Sequence, residues 1–204
     1  MRFAVASLLV LTAATADAHI ALVDPPPRTT SLKTRPCGAA GSVRGTTVTT
    51  LAPGATITVK WTETIDHPGH YRISFDMDGN DFVVPPTSTG STEGMTNVIK
   101  DLIMDVQGGT VPRPYTFDIT LPDMECNNCT LQVIQLMTDK PPYTTNALSD
   151  DIYYQCTDIT LAASAPDAGM QVTPDAGTGP GGSDNGGGGS VSGGCSTGNA
   201  TGFV

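Results

Sequence analysis

The chain has 204 residues, with 10 Lys and Arg against 20 Asp and Glu, a formal net charge of −10. That balance excludes a binder that tracks nucleic-acid phosphates, which needs clustered basic residues. Thirteen of the 23 glycines fall after residue 164, in a stretch without Lys or Arg, so one globular unit of about 145 residues is expected ahead of a low-complexity tail.

Residues 1–18 read as a signal peptide. Arg2 gives a positive start, Phe3 to Ala14 is an apolar run too short for a mature anchor, and Ala16-Asp17-Ala18 is a small-x-small cleavage site. Cleavage there leaves His19 as the first residue of an exported protein, with no transmembrane segment expected. Residues 19–45, with Pro25-Pro26-Pro27, Pro36 and Gly38, read as a largely irregular opening segment. Strands are expected at Thr46–Leu51 and Ala55–Thr64, where Ile57, Val59 and Trp61 share a core-facing side. Further strands are expected at His70–Met77, Tyr115–Leu121, Thr130–Met137 and Ile152–Leu161, with a short helix near Met95–Met104. Many short strands joined by Gly, Pro, Asn and Asp turns indicate an all-β, immunoglobulin- or fibronectin-like β-sandwich with long loops over residues 19–164. Residues 165–204, rich in Gly, Ser, Pro and Asp, cannot bury enough apolar area to order themselves and read as a disordered tail.

Export makes the cysteines readable. Cys37, Cys126, Cys129 and Cys156 are an even set in an oxidising compartment, so two disulfides are expected, and the sequence leaves all three pairings open. Cys195 stands apart in the tail. A zinc or thioredoxin-like reading of Cys126-Asn-Asn-Cys129 lacks a second pair and a βαβ context.

The chain has three histidines, His19, His67 and His70. A chain that begins with His offers two nitrogen donors in one residue, its α-amine and imidazole Nδ1. The amine's pKa of about 8 lets a metal displace its proton near neutral pH. One further imidazole completes a planar three-nitrogen set, which suits Cu(II). The competing reading of Asp66-His67-Pro68-Gly69-His70 is a surface turn with two ordinary histidines.

Four segments carry a family resemblance, in order along residues 19–161. They are His19-Ile-Ala-Leu-Val-Asp-Pro-Pro-Pro-Arg28 with Pro36-Cys37-Gly38, Asp66-His67-Pro68-Gly69-His70-Tyr71-Arg72-Ile73, Cys126-Asn-Asn-Cys129-Thr-Leu-Gln132, and Tyr153-Tyr-Gln-Cys156-Thr-Asp158-Ile159. Together they resemble lytic polysaccharide monooxygenases of the insect-type auxiliary-activity family and the myxobacterial polysaccharide-monooxygenase-like group. The resemblance implies a histidine brace holding one copper ion, with His19 and His67 as ligands and Tyr153 axial. It also implies an external reductant with O2 or H2O2 as co-substrates, and an insoluble β-1,4-linked polysaccharide, chitin or cellulose, oxidised at C1 or C4. His67 is preferred to His70 because the two differ in strand phase. Asp151 stands where relatives place a longer Glu or Gln. Gln132 and Gln135 are further candidates beside the metal, at least one of them expected on a solvated strand face. Tyr71, Tyr115 and above all Tyr143 are the candidate sugar platforms, Trp61 being assigned to the core. The protein is expected to act as a monomer, secreted or at the cell surface. Gly193-Gly194-Cys195-Ser196 resembles the start of a myxobacterial surface-sorting tail that would attach through Cys195. Two other functions stay open: an exported copper carrier without catalysis, and a metal-free structural module. The six methionines after Met1 form no M-x-x-M cluster of the kind that accompanies Cu(I) carriage.

Overall fold

The computed structural model describes residues 19–146, 149, 151–163 and 165; the leader and the tail with Cys195 lie outside the described residues. Eight strands make up the regular structure: β1 (Ile20–Asp24), β2 (Val48–Leu51), β3 (Thr56–Glu63), β4 (Gly69–Asp76), β5 (Val98–Met104), β6 (Arg113–Thr120), β7 (Cys126–Met137) and β8 (Ile152–Leu161). They form a β-sandwich of a three-stranded sheet, β1-β3-β6, and a five-stranded sheet, β2-β8-β7-β4-β5. No helix among the described residues is long and apolar enough to cross a membrane.

Alternation places the core. In β3 the pattern Ile57, Val59, Trp61, Glu63 is buried while Thr56, Thr58 and Lys60 are exposed, as expected of a strand with one wet face. The facing layer comes from Tyr71, Ile73 and Phe75 on β4 and Leu131 and Val133 on β7, all at most 3% exposed. Each such side chain withdrawn from water contributes roughly 1.5–3 kcal/mol. The five-residue β1 is held in this way through Ile20 and Leu22, and Leu22 N–H also donates to the Gln155 amide oxygen of the opposite sheet.

The five-stranded sheet departs from simple alternation. Residues 70–76, 129–137 and 152–159 are buried without a break, because loops cover its outer face. There Ile134, Leu136, Ile152 and Tyr154 form a second cluster, against which Val84 and Tyr143 pack. The opening segment runs along the free edge of β8: Tyr154 N–H donates to Leu32 O at 2.8 Å and Arg28 N–H to Cys156 O at 2.7 Å. That contact covers an edge that would otherwise invite pairing with another chain. Arg28 then meets Asp158, buried at both ends, through Nε at 2.9 Å and Nη2 at 2.5 Å. The disulfides pair Cys37 with Cys156 and Cys126 with Cys129.

The opening segment is largely irregular, as expected, but contributes residues 20–24 to a sheet as β1, paired with β3. One expectation is corrected. The stretch expected as a short helix near Met95–Met104 is β5, paired antiparallel with β4. Val98, Ile99, Leu102 and Ile103 do fall at helical spacing, but the β4 edge supplies the hydrogen bonds. The misfit is absorbed by register shifts and by positive φ at Asn97 and Leu102.

Candidate functional site

The three elements that meet at one end of the sandwich bring His19, His67 and Tyr153 together. Ile20 is opposite Glu63, and Thr64 N–H donates to His19 O at 3.1 Å, so His19 is fixed beside the β3–β4 turn. That turn carries His67 and is tied to the end of β7 by Thr138, whose N–H (2.8 Å) and hydroxyl (3.0 Å) both donate to Pro68 O. Gly69 lets β4 start flush against β7: a Cβ there would stand 2.3 Å from Leu136 O. On β8, Tyr153 lies opposite Gln135 of β7 and points into the sandwich interior.

The His19 ring is stacked on both others. Its centroid is 3.8 Å from that of Tyr153, with 14° between planes, and 4.9 Å from that of His67, with 11° between planes. Lys33 Nζ donates to the Tyr153 hydroxyl at 2.7 Å and stands 4.0 Å from the ring centroid, a cation–π contact. His67 Nδ1 is 3.2 Å from Asp139 Oδ2. A carboxylate only accepts, so this contact places the imidazole proton on Nδ1 and leaves Nε2 as the donor atom for a metal.

Beneath the turn the interior is polar. Glu63 is 0% exposed and receives Arg113 Nη1 at 2.7 Å, with the Tyr115 hydroxyl at 3.3 Å. Burial and the neighbouring Asp105 push the Glu63 carboxyl up, with Arg113 and the His67 N–H pulling the other way. Tyr115 donates to Asp105 at 2.6 Å, and burial with the adjoining carboxylates moves the Tyr71 phenol far above its ordinary value. Arg113 also reaches Asp66 Oδ1 at 3.3 Å, so Glu63 is tied through it to the turn that presents His67.

Two adjacent imidazoles, those of His19 and His67, could hold a metal ion, and the His19 nitrogen, a peptide nitrogen in the full chain, would be a primary amine in a chain cleaved before residue 19. Among the described residues no three His, Cys, Asp or Glu side chains gather at one point; a site that draws its third nitrogen from the main chain does not require such a group.

The remaining candidates fall elsewhere. His70 is 6% exposed on the outer face, with Nε2 3.5 Å from Asp101 Oδ1. Asp151 is consumed by its own loop, accepting from Thr144 N–H (2.9 Å), Thr144 Oγ1 (2.7 Å) and Ser149 Oγ (2.9 Å). Neither glutamine is on a solvated face. Gln132 is buried on the outer face, where its Nε2 donates to Pro36 O at 2.8 Å. Gln135 is buried on the inner face, opposite both Tyr153 and Tyr71, and its amide makes no hydrogen bond among the described residues. The aromatic platforms are also corrected. Tyr71 is core, Tyr115 stacks on Trp61 at 5.6 Å, and Tyr143 packs on the outer cluster with its hydroxyl bonded to Pro85 O at 2.8 Å.

Asp139, Lys33 and Glu63 were not legible as site residues. Asp139 sits in an Asp-Lys-Pro-Pro run that reads as a turn. Lys33 belongs to the opening segment, and only the inward phase of β3 hinted at Glu63.

No protein-family model matches the chain, and no curated protein does. Among solved structures, the chain is similar to a lytic polysaccharide monooxygenase AA15 from Thermobia domestica in the Cu(I) state. The identity is 19% over 63% of this chain and 76% of that chain, with a TM-score of 0.37.

Proposed function

We propose that the mature chain is an exported copper-dependent oxidase of insoluble β-1,4-linked polysaccharide, chitin or cellulose. One observation carries the reading: the ring of His19, which would begin the cleaved chain, is stacked against both His67 and Tyr153. His19, through its amine and imidazole, and His67, through Nε2, would hold the ion, with Tyr153 covering one side. When bound, copper supplies the one-electron chemistry that lets O2 or H2O2, with an external reductant, attack a glycosidic C–H bond.

The chain's own residues supply position and protonation. Asp139 holds the His67 ring in the tautomer that keeps Nε2 free of a proton. Glu63, through Arg113, and Thr138 fix the turn from below and from the side. Lys33 holds the phenol of Tyr153 in place. With no exposed aromatic ring among the sugar-platform candidates, contact with the substrate falls to Asp66, Thr138 and Asp139 around His67, which meet sugar hydroxyls through hydrogen bonds.

The test is copper-loaded protein beginning at His19, incubated with chitin or cellulose and ascorbate. Oligosaccharides with aldonic-acid or ketoaldose ends, lost in His67→Ala, are the expected result. Tight copper binding with no oxidised sugar and no reductant-driven peroxide turnover would make the protein a copper carrier. Absence of copper binding would leave a structural module.

A further inference from the structure

A cavity of about 580 Å³ opens on the outer face of the five-stranded sheet, lined by Arg35, Arg72, Gln132, Tyr154 and the loop carrying Phe82 and Val84. It is separate from the histidine pair, because Tyr154 and Tyr153 are consecutive on β8 and point to opposite faces. Its volume is in the range of small-molecule sites.

Among the described residues, four cations are paired with acids: Arg28 with Asp158, Lys60 with Asp24, Lys100 with Glu93, and Arg113 with Glu63 and Asp66. The two arginines of this cavity form no ion pair among the described residues. Arg72 is 1% exposed, and its guanidinium finds only neutral acceptors: Val83 O at 2.6 Å, Thr92 Oγ1 at 3.4 Å and Gln132 Oε1 at 3.4 Å, with Nε unbonded. Asp101, the nearest acid to act on it, is already engaged by Thr92 N–H at 2.7 Å, Thr92 Oγ1 at 2.5 Å and Leu102 N–H at 2.8 Å. Arg35 is exposed at the rim and makes no hydrogen bond among the described residues.

Asp101 balances this charge at one remove, through Thr92 Oγ1, which accepts from Arg72 and donates to Asp101. The buried, unbonded Nε is left for a further acceptor. The planar fork of Arg72 suits a two-oxygen anion, and Arg35 adds a second cation at the mouth. The walls narrow the class. Phe82, Val84 and Tyr154 offer apolar and aromatic surface, while Asp81 also lines the cavity and would repel a doubly charged phosphate. We propose that this cavity binds a singly charged organic carboxylate with an aromatic or apolar body, its carboxylate on Arg72 and Arg35 and its body against Phe82 and Tyr154.

The probe is benzoate, titrated at constant ionic strength near pH 7 into the uniformly 15N-labelled chain without copper, with benzamide and inorganic phosphate as comparisons. The expected result is a saturable shift of the Phe82, Val83, Val84 and Tyr154 amides with benzoate. Benzamide and phosphate should each bind at least tenfold more weakly. Arg35→Gln, at an exposed position that leaves the fold intact, should weaken benzoate about tenfold; Arg72→Lys, which keeps charge but loses the fork, should weaken it further. The proposal is overturned if benzoate moves none of these amides, if benzamide matches it, if phosphate matches it (an oxyanion site only), or if Arg35→Gln binds benzoate like the parent.

Discussion

Asp139 offers the sharpest test of the histidine pair, because its contact with His67 touches nothing else in the site. Its Oδ2 is 3.2 Å from His67 Nδ1, and the two side chains are 31% and 23% exposed. Removing the carboxylate that orients a ligating imidazole costs about 10–100-fold in metal affinity. Partial exposure lets water replace some of the lost contact, so Asp139→Ala should sit at the lower end, about tenfold, or roughly 1.4 kcal/mol. Asp139→Asn keeps an acceptor for the Nδ1 proton and loses only the charge, so it should fall between the parent and Asp139→Ala. The assay is competition for Cu(II) against a calibrated chelator, using chains that begin at His19. His70→Ala serves as the comparison, and its effect should be small. Unchanged affinity in Asp139→Ala, or a larger loss in His70→Ala, would refute the assignment of His67.

Three further outcomes follow from the fold. Opening the Cys37–Cys156 disulfide, which spans 119 residues, should cost up to about 5 kcal/mol on a chain-entropy account, and opening Cys126–Cys129, with a separation of three, only about 2 kcal/mol; denaturant unfolding of the paired Cys→Ser variants gives the comparison. Asp158→Asn leaves the Arg28 guanidinium, 4% exposed, without its counter-charge and should cost about 3–5 kcal/mol, read as a fall in Tm of roughly 10 °C. Burial alone would raise the Asp101 carboxyl, but hydrogen bonds from His70, Thr92 and Leu102 outweigh it and hold the group below its ordinary 3.8. Its contribution is therefore complete above the ordinary carboxylate range and lost as pH falls through the lower folded value. Acid-unfolding curves of Asp101→Asn should be less stable at neutral pH and flatter below about pH 4.

The strands that alternate cleanly, β3, β4 and β6, were legible because one face of each meets the core and the other meets water or a loop. β5 was not, since its apolar spacing serves a helix equally well and only its pairing with β4 decides. The burial of Gln132 was hidden for a related reason, since loops cover an outer face that a strand pattern alone assigns to solvent; Gln135 is instead a polar residue in the inner phase of β7, opposite Tyr71 and Tyr153. In the site, His19 was marked by the cleavage motif and His67 by its turn. Asp139 lies 72 residues from His67 and Lys33 lies 120 from Tyr153, and nothing local in either segment announces its partner.

The docking of β1 orders the steps by which the site is made. A peptidase that frees the His19 nitrogen must hold the following residues as an extended, unpaired strand. In the folded domain Ile20 and Leu22 are buried against β3 and the His19 carbonyl is bonded to Thr64, so those residues are out of reach. On the proposed function, cutting would therefore precede the docking of β1, and metal would follow both. A chain that folded uncleaved would keep a peptide nitrogen in place of the proposed amine ligand, and on that reading it would bind copper weakly. Cleavage before His19, rather than folding, would on the proposed function be the event that completes the donor set.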